Sequence, residues 1–277
     1  MCEEVRILFT LEHGITWLSY MPGYAAAERL IQAQGRGLLG SVVVIQHLLA
    51  ALLVALVVAL VAWRIRVDLD RAGSDALVPR DEISVRNLVE VGAEALYGQM
   101  QQIIGPDCSR YFPVLATLGL FILFANLLGL VPGFVPPTDN WNTTFACGIF
   151  VFLYYNGHGL RVHGLGHILH MANPIGTWWG WLLAPLMFPI EIVSHLARPF
   201  SLGVRLATNM LGDHAVMLAF LGLVPILVPI PFMMLGLVVS LVQTLVFVLL
   251  STIYIGMATA DAHASAAGHE APTGAAK

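Results

Sequence analysis

Glu191, His195, Arg198, Ser201, Arg205, Asn209, Asp213 and His214 interrupt an otherwise apolar stretch of the chain. At 100° per residue, His195, Arg198, Arg205, Asn209 and Asp213 all project within about 40° of Glu191, so these six share one narrow stripe of a helix. Pro199 stands between the two arginines and bends such a helix, which makes the alignment across it approximate. A guanidinium at mid-bilayer costs ~2.5 to 3.5 kcal/mol on insertion scales, so it must face a bundle interior, a partner or water. The stripe therefore suits ion movement. Glu191 and Arg198, seven residues apart, read as a neutralising pair. Arg205 is deeper, its nearest acid on the stripe is Asp213 two turns on, and its neighbour Asn209 is neutral. Its counter-charge is expected from outside this chain.

A second apolar segment carries Ser240, Gln243, Thr244 and Tyr254. Gln243 and Tyr254 are eleven apart, about 20° in projection, and share a face. Either Gln243 simply bonds a neighbouring helix or, opposite the arginine helix, it lines a path. Gly236, two turns before it, leaves room for a larger side chain opposite. Other clusters carry less. His163, His167 and His170 have helical spacing but no acidic partner and no H-E-x-x-H, so no metal is expected. Cys2, Cys108 and Cys147 are scattered and read as inert thiols. Asn142-Thr-Thr fits a glycosylation sequon, but in a tight membrane hairpin where no glycan is expected. There is no G-x-S-x-G and no P-loop, so neither an intramembrane hydrolase nor a nucleotide-binding chain is indicated, and no cofactor is expected.

These residues must be held by membrane helices. Of 277 residues, 58% are hydrophobic and 11% charged, against about a quarter charged in a soluble domain. Mean hydropathy is +0.80. The basic residues form no stripe, which excludes nucleic acid as a partner. The expected fold is an all-α integral membrane protein with about five crossings and one in-plane helix. Residues 1–40 form an N-terminal segment outside, without the basic head and short apolar core of a signal peptide. Residues 41–62 form the first span; Arg64, Arg66 and Arg71 after it put its C-terminal end in the cytoplasm. Residues 63–110 are a linker followed by an amphipathic surface helix near Ile83 to Ile104, with Val85, Leu88, Val89, Leu96 and Met100 at helical spacing. Residues 111–160 make a hairpin of two spans, turned by the prolines of Leu130 to Pro137. Residues 161–185 form a cytoplasmic loop and a belt of Trp178, Trp179 and Trp181. Residues 186–262 form a second hairpin, turned by the prolines of Val224 to Pro231, whose arms exceed the ~20 residues of a perpendicular span and so tilt strongly. Residues 263–277 are a polar, disordered tail ending in the cytoplasm. The hairpins are too unlike to be inverted repeats, which lowers a secondary-transporter reading.

Ser194 to Met210, reading S-H-L-A-R-P-F-S-L-G-V-R-L-A-T-N-M, resembles the arginine helix of subunit a of rotary F-type ATP synthases. Leu241 to Ile255 is similar to that family's final helix, and Phe124 to Phe134 with Asn142-Thr-Thr to its middle hairpin. The likeness covers roughly Phe112 to Ala258. It implies a stator subunit that forms two proton half-channels against a ring of c subunits, each carrying one mid-membrane carboxylate that passes Arg205. It also implies peripheral-stalk b subunits and the remaining synthase subunits as partners, in a lipid bilayer expected to be a bacterial inner membrane. Glu191 and Ser201 match positions of the cytoplasmic half-channel. Asn209 and Gln243 match polar residues near the arginine. His214 matches a position lining the path from outside, while Gly236 stands where some members put an ionisable partner. Whether His214 or Asp213 relays the proton stays open. His195, Arg198 and Tyr254 form a secondary polar stripe. The rival to this reading is a self-contained channel or secondary transporter, which would conduct alone.

Overall fold

The computed structural model describes Tyr20, Tyr24 and residues 45–72, 84–131, 133–163, 180–223 and 229–269. Among these it is all helical. The order is α1 (Ile45–Ala72), α2 (Val85–Ile104), α3 (Cys108–Gly129), a short 3-10 turn (Pro137–Asp139), α4 (Trp141–His163), α5 (Gly180–Leu223) and α6 (Pro229–His269). The expected N-terminal segment, the turn after Leu223, and the Trp178–Trp179 and His167–His170 groups fall outside the described residues, as do the side chains of His163 and Trp181.

Ile45–Arg71, Cys108–Gly129 and Ile230–Met257 are long and apolar enough to cross a membrane. α1 runs through Arg64, Arg66 and Arg71 to Ala72, where the sequence suggested a linker from residue 63. Arg64 and Asp68, like Arg66 and Asp70, stand four apart, a spacing that supports a helix rather than ending it. Leu48, Leu52, Leu56 and Leu60 are exposed along one side of α1, while Val54 and Val58 pack on α3 around Ala125. One side is thus free for lipid and the other is bound.

Ser84 caps α2 by accepting from the Asn87 amide, and Gly105 ends it at φ 88°, a left-handed backbone that favours glycine. The helix is less evenly amphipathic than its sequence suggests. Met100 and Ile104 enter the core, but Leu88 and Val91 are exposed and Arg86 is buried, pairing with Glu90 at 2.6 Å. Asn140 caps α4, its side chain accepting from the Asn142 amide at 2.9 Å.

α5 is one helix of 44 residues and begins at Gly180, inside the segment expected to be a loop. Pro185, Pro189 and Pro199 lie within it. At ~1.5 Å per residue its length is about 66 Å, twice the ~30 Å hydrocarbon core. α6 spans 41 residues and continues to His269, so the polar tail does not start at residue 263. Ala-Ser-Ala-Ala keeps helix propensity high there.

The core joins Met100, Tyr111, Leu115, Ile122, Val151, Tyr155, Leu202, Leu206, Phe247, Val248 and Ile255. Lipid tails are as apolar as these side chains, so close packing rather than escape from water stabilises the bundle. The α4–α5 pair is the most extensive contact. Glycines make it close: a Cβ on Gly148 would lie 2.7 Å from the Pro199 carbonyl oxygen, and one on Gly203 would lie 3.2 Å from the Phe145 ring. This crossing sets where Arg205 stands.

Candidate functional site

The stripe read from sequence runs along the edge between the buried and open sides of α5. Leu202, Gly203, Leu206, Ala207 and Met210 are buried, whereas Ser201, Arg205, Thr208 and Gly212 are exposed. Leu196, Phe200 and Leu211 of α5 and Val238, Leu241, Val242 and Leu245 of α6 are also exposed. Among the described residues no carboxylate pairs with Arg205.

Toward the N-terminal end of α5 the polar groups turn inward. Glu191 does not pair with Arg198, as the seven-residue spacing suggested. Its Oε1 lies 3.2 Å from Nε2 of His195, one turn away. The other imidazole nitrogen, Nδ1, lies 3.2 Å from the Tyr155 hydroxyl on α4. Arg198 lies instead over the Tyr254 ring on α6, 5.4 Å from its centroid, a cation–π contact that holds a half-buried charge without an acid. Tyr155 and Tyr254 are 6.3 Å apart and close the cluster. Tyr155 was not singled out in the sequence, since its role depends on a contact forty residues away in the chain.

Toward the other end, Asn209 Nδ2 donates to Gln243 Oε1 at 2.6 Å, with Gln243 buried. This bond joins the arginine helix to α6 one turn beyond Arg205. Past it opens a cavity of about 590 Å³ lined by Asn126, Thr208, Asn209, Asp213, His214, Gly236 and Ser240. Asp213 and Asn126 each turn a buried polar atom without a protein partner toward this region. Such buried polar atoms cost free energy where nothing bonds them. Gly236 lies on the cavity wall, where a Cβ would meet Leu130 Cδ2 at 2.6 Å. Leu130 is therefore the larger side chain that the glycine admits. Asn126 is bonded to Thr138 of the 3-10 turn, whose hydroxyl donates to its Oδ1 at 2.8 Å. The signal for Asn126, a lone amide in an apolar span, was of the same kind as that for Gln243.

Cys108 and Cys147 are free and buried. Among the described residues no three His, Cys, Asp or Glu side chains come together as a metal site.

A bundle of apolar helices, one of them carrying an exposed arginine between two polar clusters, has the make-up of an ion-conducting membrane subunit. A family model described as ATP synthase A chain matches residues 44–256. The chain is 47% identical over 192 residues to ATP synthase subunit a of Bdellovibrio bacteriovorus, covering 69% of this chain and 82% of that protein. It is 41% identical over 216 residues to the subunit a of Sorangium cellulosum, covering 77% and 82%, and 46% identical over 179 residues to that of Geobacter sulfurreducens, covering 65% and 76%. The chain belongs to the ATP synthase A chain family. It is the proton-channel component of the stator in an F-type synthase and has no part in the chemistry of ATP itself.

Proposed function

We propose that Arg205 is the stator charge that meets the carboxylate of each passing c subunit, and that the two polar clusters on either side of it are the ends of two half-channels. The observation that carries this is the position of Arg205: an exposed cation on an apolar face, ~21 Å along the helix from Glu191 and ~12 Å from Asp213. Glu191, Ser201 and the His195–Arg198–Tyr254 group line the cytoplasmic path. Asp213, His214, Asn209 and Gln243 line the inlet from outside. Separation of the two by Arg205 prevents a direct leak, since a proton must ride the ring to pass from one to the other. Each crossing then delivers ~2.3 kcal/mol per 100 mV to rotation. The reading includes five crossings with α2 along the surface, the N-terminus outside, the C-terminus in the cytoplasm of a bacterial inner-membrane protein, and b subunits as stalk partners.

Cysteine pairing tests the ring contact. Thr208→Cys, on the open face, should form a disulfide with a cysteine placed beside the ring carboxylate and stop ATP-driven pumping until reduced. Leu153→Cys, exposed on α4, should not. The reverse pattern would put the ring on the wrong face.

At the inlet, an imidazole is suited to taking protons near neutrality, whereas a carboxyl group alone needs more acid. His214→Ala should therefore reduce ATP synthesis most when the outer side is above about pH 6.5, with less loss in acid. If synthesis keeps its dependence on outer pH, Asp213 carries the relay and His214 is only a polar lining residue.

A further inference from the structure

We propose that His195 and Glu191 work as one proton-exchanging pair at the cytoplasmic mouth, with Tyr155 fixing the imidazole between them and α4. The inference rests on the assignment of that mouth to Glu191 and adds the group that stores the proton. Its basis is the three-part geometry: Glu191 Oε1 to His195 Nε2 at 3.2 Å and His195 Nδ1 to the Tyr155 hydroxyl at 3.2 Å. A carboxylate only accepts, so Nε2 carries a proton. In the neutral ring Nδ1 then accepts from Tyr155; in the imidazolium both nitrogens donate and Tyr155 accepts. Both charge states of the ring keep both partners. A hydroxyl at Nδ1 permits this, because it reverses its role by rotating.

Burial gives the pair a direction. The His195 side chain is 12% exposed and that of Glu191 37%, so the carboxylate is the outer end of the pair and the imidazole the inner one. The proton balance is simple. A proton arriving from the ring side makes an imidazolium. Transfer from Nε2 to Oε1 gives a neutral imidazole, its Nδ1–H held by Tyr155, and a carboxyl group. The carboxyl group releases the proton to water and becomes a carboxylate again, and the ring returns to its Nε2–H form by giving up the Nδ1 proton and taking one at Nε2, which closes the cycle. Pumping runs the same steps backwards.

The surrounding charges leave the pair intact. Arg198, one turn on, lies over the Tyr254 ring at 5.4 Å and also acts on the Tyr155 hydroxyl, to which it can only donate, and it makes no ion pair with Glu191. Tyr254 is the titratable group facing the cluster from α6, and Tyr155 the one from α4. His158, nearly a turn beyond Tyr155, packs edge-on against Tyr111 at 4.9 Å and belongs to another contact.

A purely structural pin between α4 and α5 would look alike in the folded state but would not change the pH at which protons exchange. The test uses inverted membrane vesicles of the whole synthase, in which the cytoplasmic mouth faces the medium. ATP-driven proton uptake is measured against medium pH and divided by ATP hydrolysis of the detached soluble sector at each pH. His195→Gln keeps a neutral hydrogen-bonding group but cannot hold a proton. It should move the alkaline limb of uptake toward acid by about one pH unit. Tyr155→Phe should move it the same way by less. Glu191→Gln should slow uptake at every pH. An unshifted limb in His195→Gln with slow Glu191→Gln overturns the pair and leaves Glu191 in the path. Normal uptake in both variants shows that the mouth itself lies elsewhere.

Discussion

Arg205→Ala abolishes ATP-driven proton pumping and ATP synthesis in a complex that still assembles. The side chain is exposed and pairs with no carboxylate among the described residues, so its removal leaves no buried partner unsatisfied and the fold survives. Its loss is felt by the ring. At an effective dielectric of ~20, opposite charges ~4 Å apart attract by ~4 kcal/mol, about three pKa units in the carboxylate's proton affinity. Without that attraction a protonated carboxyl group passes unchallenged, and protons leak without driving rotation. Arg205→Lys should restore little, because a compact ammonium cannot reproduce the planar, always-charged fork. Arg198→Ala gives the contrast. It forfeits a cation–π contact with Tyr254 worth ~0.5–2 kcal/mol, so some coupled pumping should remain. The measurement is pumping in inverted vesicles at equal subunit content. Wild-type pumping by assembled Arg205→Ala, or complete loss in assembled Arg198→Ala, would move the central charge to the other arginine.

The arginines were visible in the sequence because a charge within an apolar run has few places to go. Asn209 and Gln243 were visible for the same reason, and their bond joins the two helices that the proline turn had already paired. The partner of Glu191 was not. A helical projection ranks Arg198 and His195 by angle alone, and a charge-based reading prefers the arginine. In the folded chain His195 stands only one turn from Glu191, while Arg198 meets an aromatic ring supplied by α6. That ring, like Tyr155 on α4, is brought in by tertiary packing, which leaves no local pattern. Element ends were also hard to read. The start of α5 at Gly180 was hidden by tryptophans that read as an interfacial belt. The extension of α1 past Ala62 was hidden by charges that end a span without ending a helix.

Gly148→Val should prevent assembly. Its wild-type role is to let α4 approach α5 at Pro199. Proline lacks the N–H that would bond the carbonyl four residues back and its ring bends the axis. At that point the Pro199 carbonyl oxygen faces Gly148, and a Cβ there would stand 2.7 Å away. The obstacle is backbone on a long rigid helix, so no side-chain rotation relieves it and the helices must separate. Overpacking of this kind costs ~1–3 kcal/mol, and the branched valine adds a second contact to the first. The smaller Gly148→Ala should assemble but work poorly. Arg205 lies ~9 Å along the axis from Pro199, and a shift of about 1 Å in a reacting group costs up to ~100-fold in rate. Pumping by Gly148→Ala should thus fall about tenfold or more at normal subunit content. Gly157→Ala on the same helix supplies the control, since its Cβ meets nothing within 4 Å. Subunit content in purified membranes reads assembly, and pumping per assembled complex reads alignment. A Gly148→Val chain that assembles and pumps like wild type would mean that the α4–α5 crossing does not position the arginine.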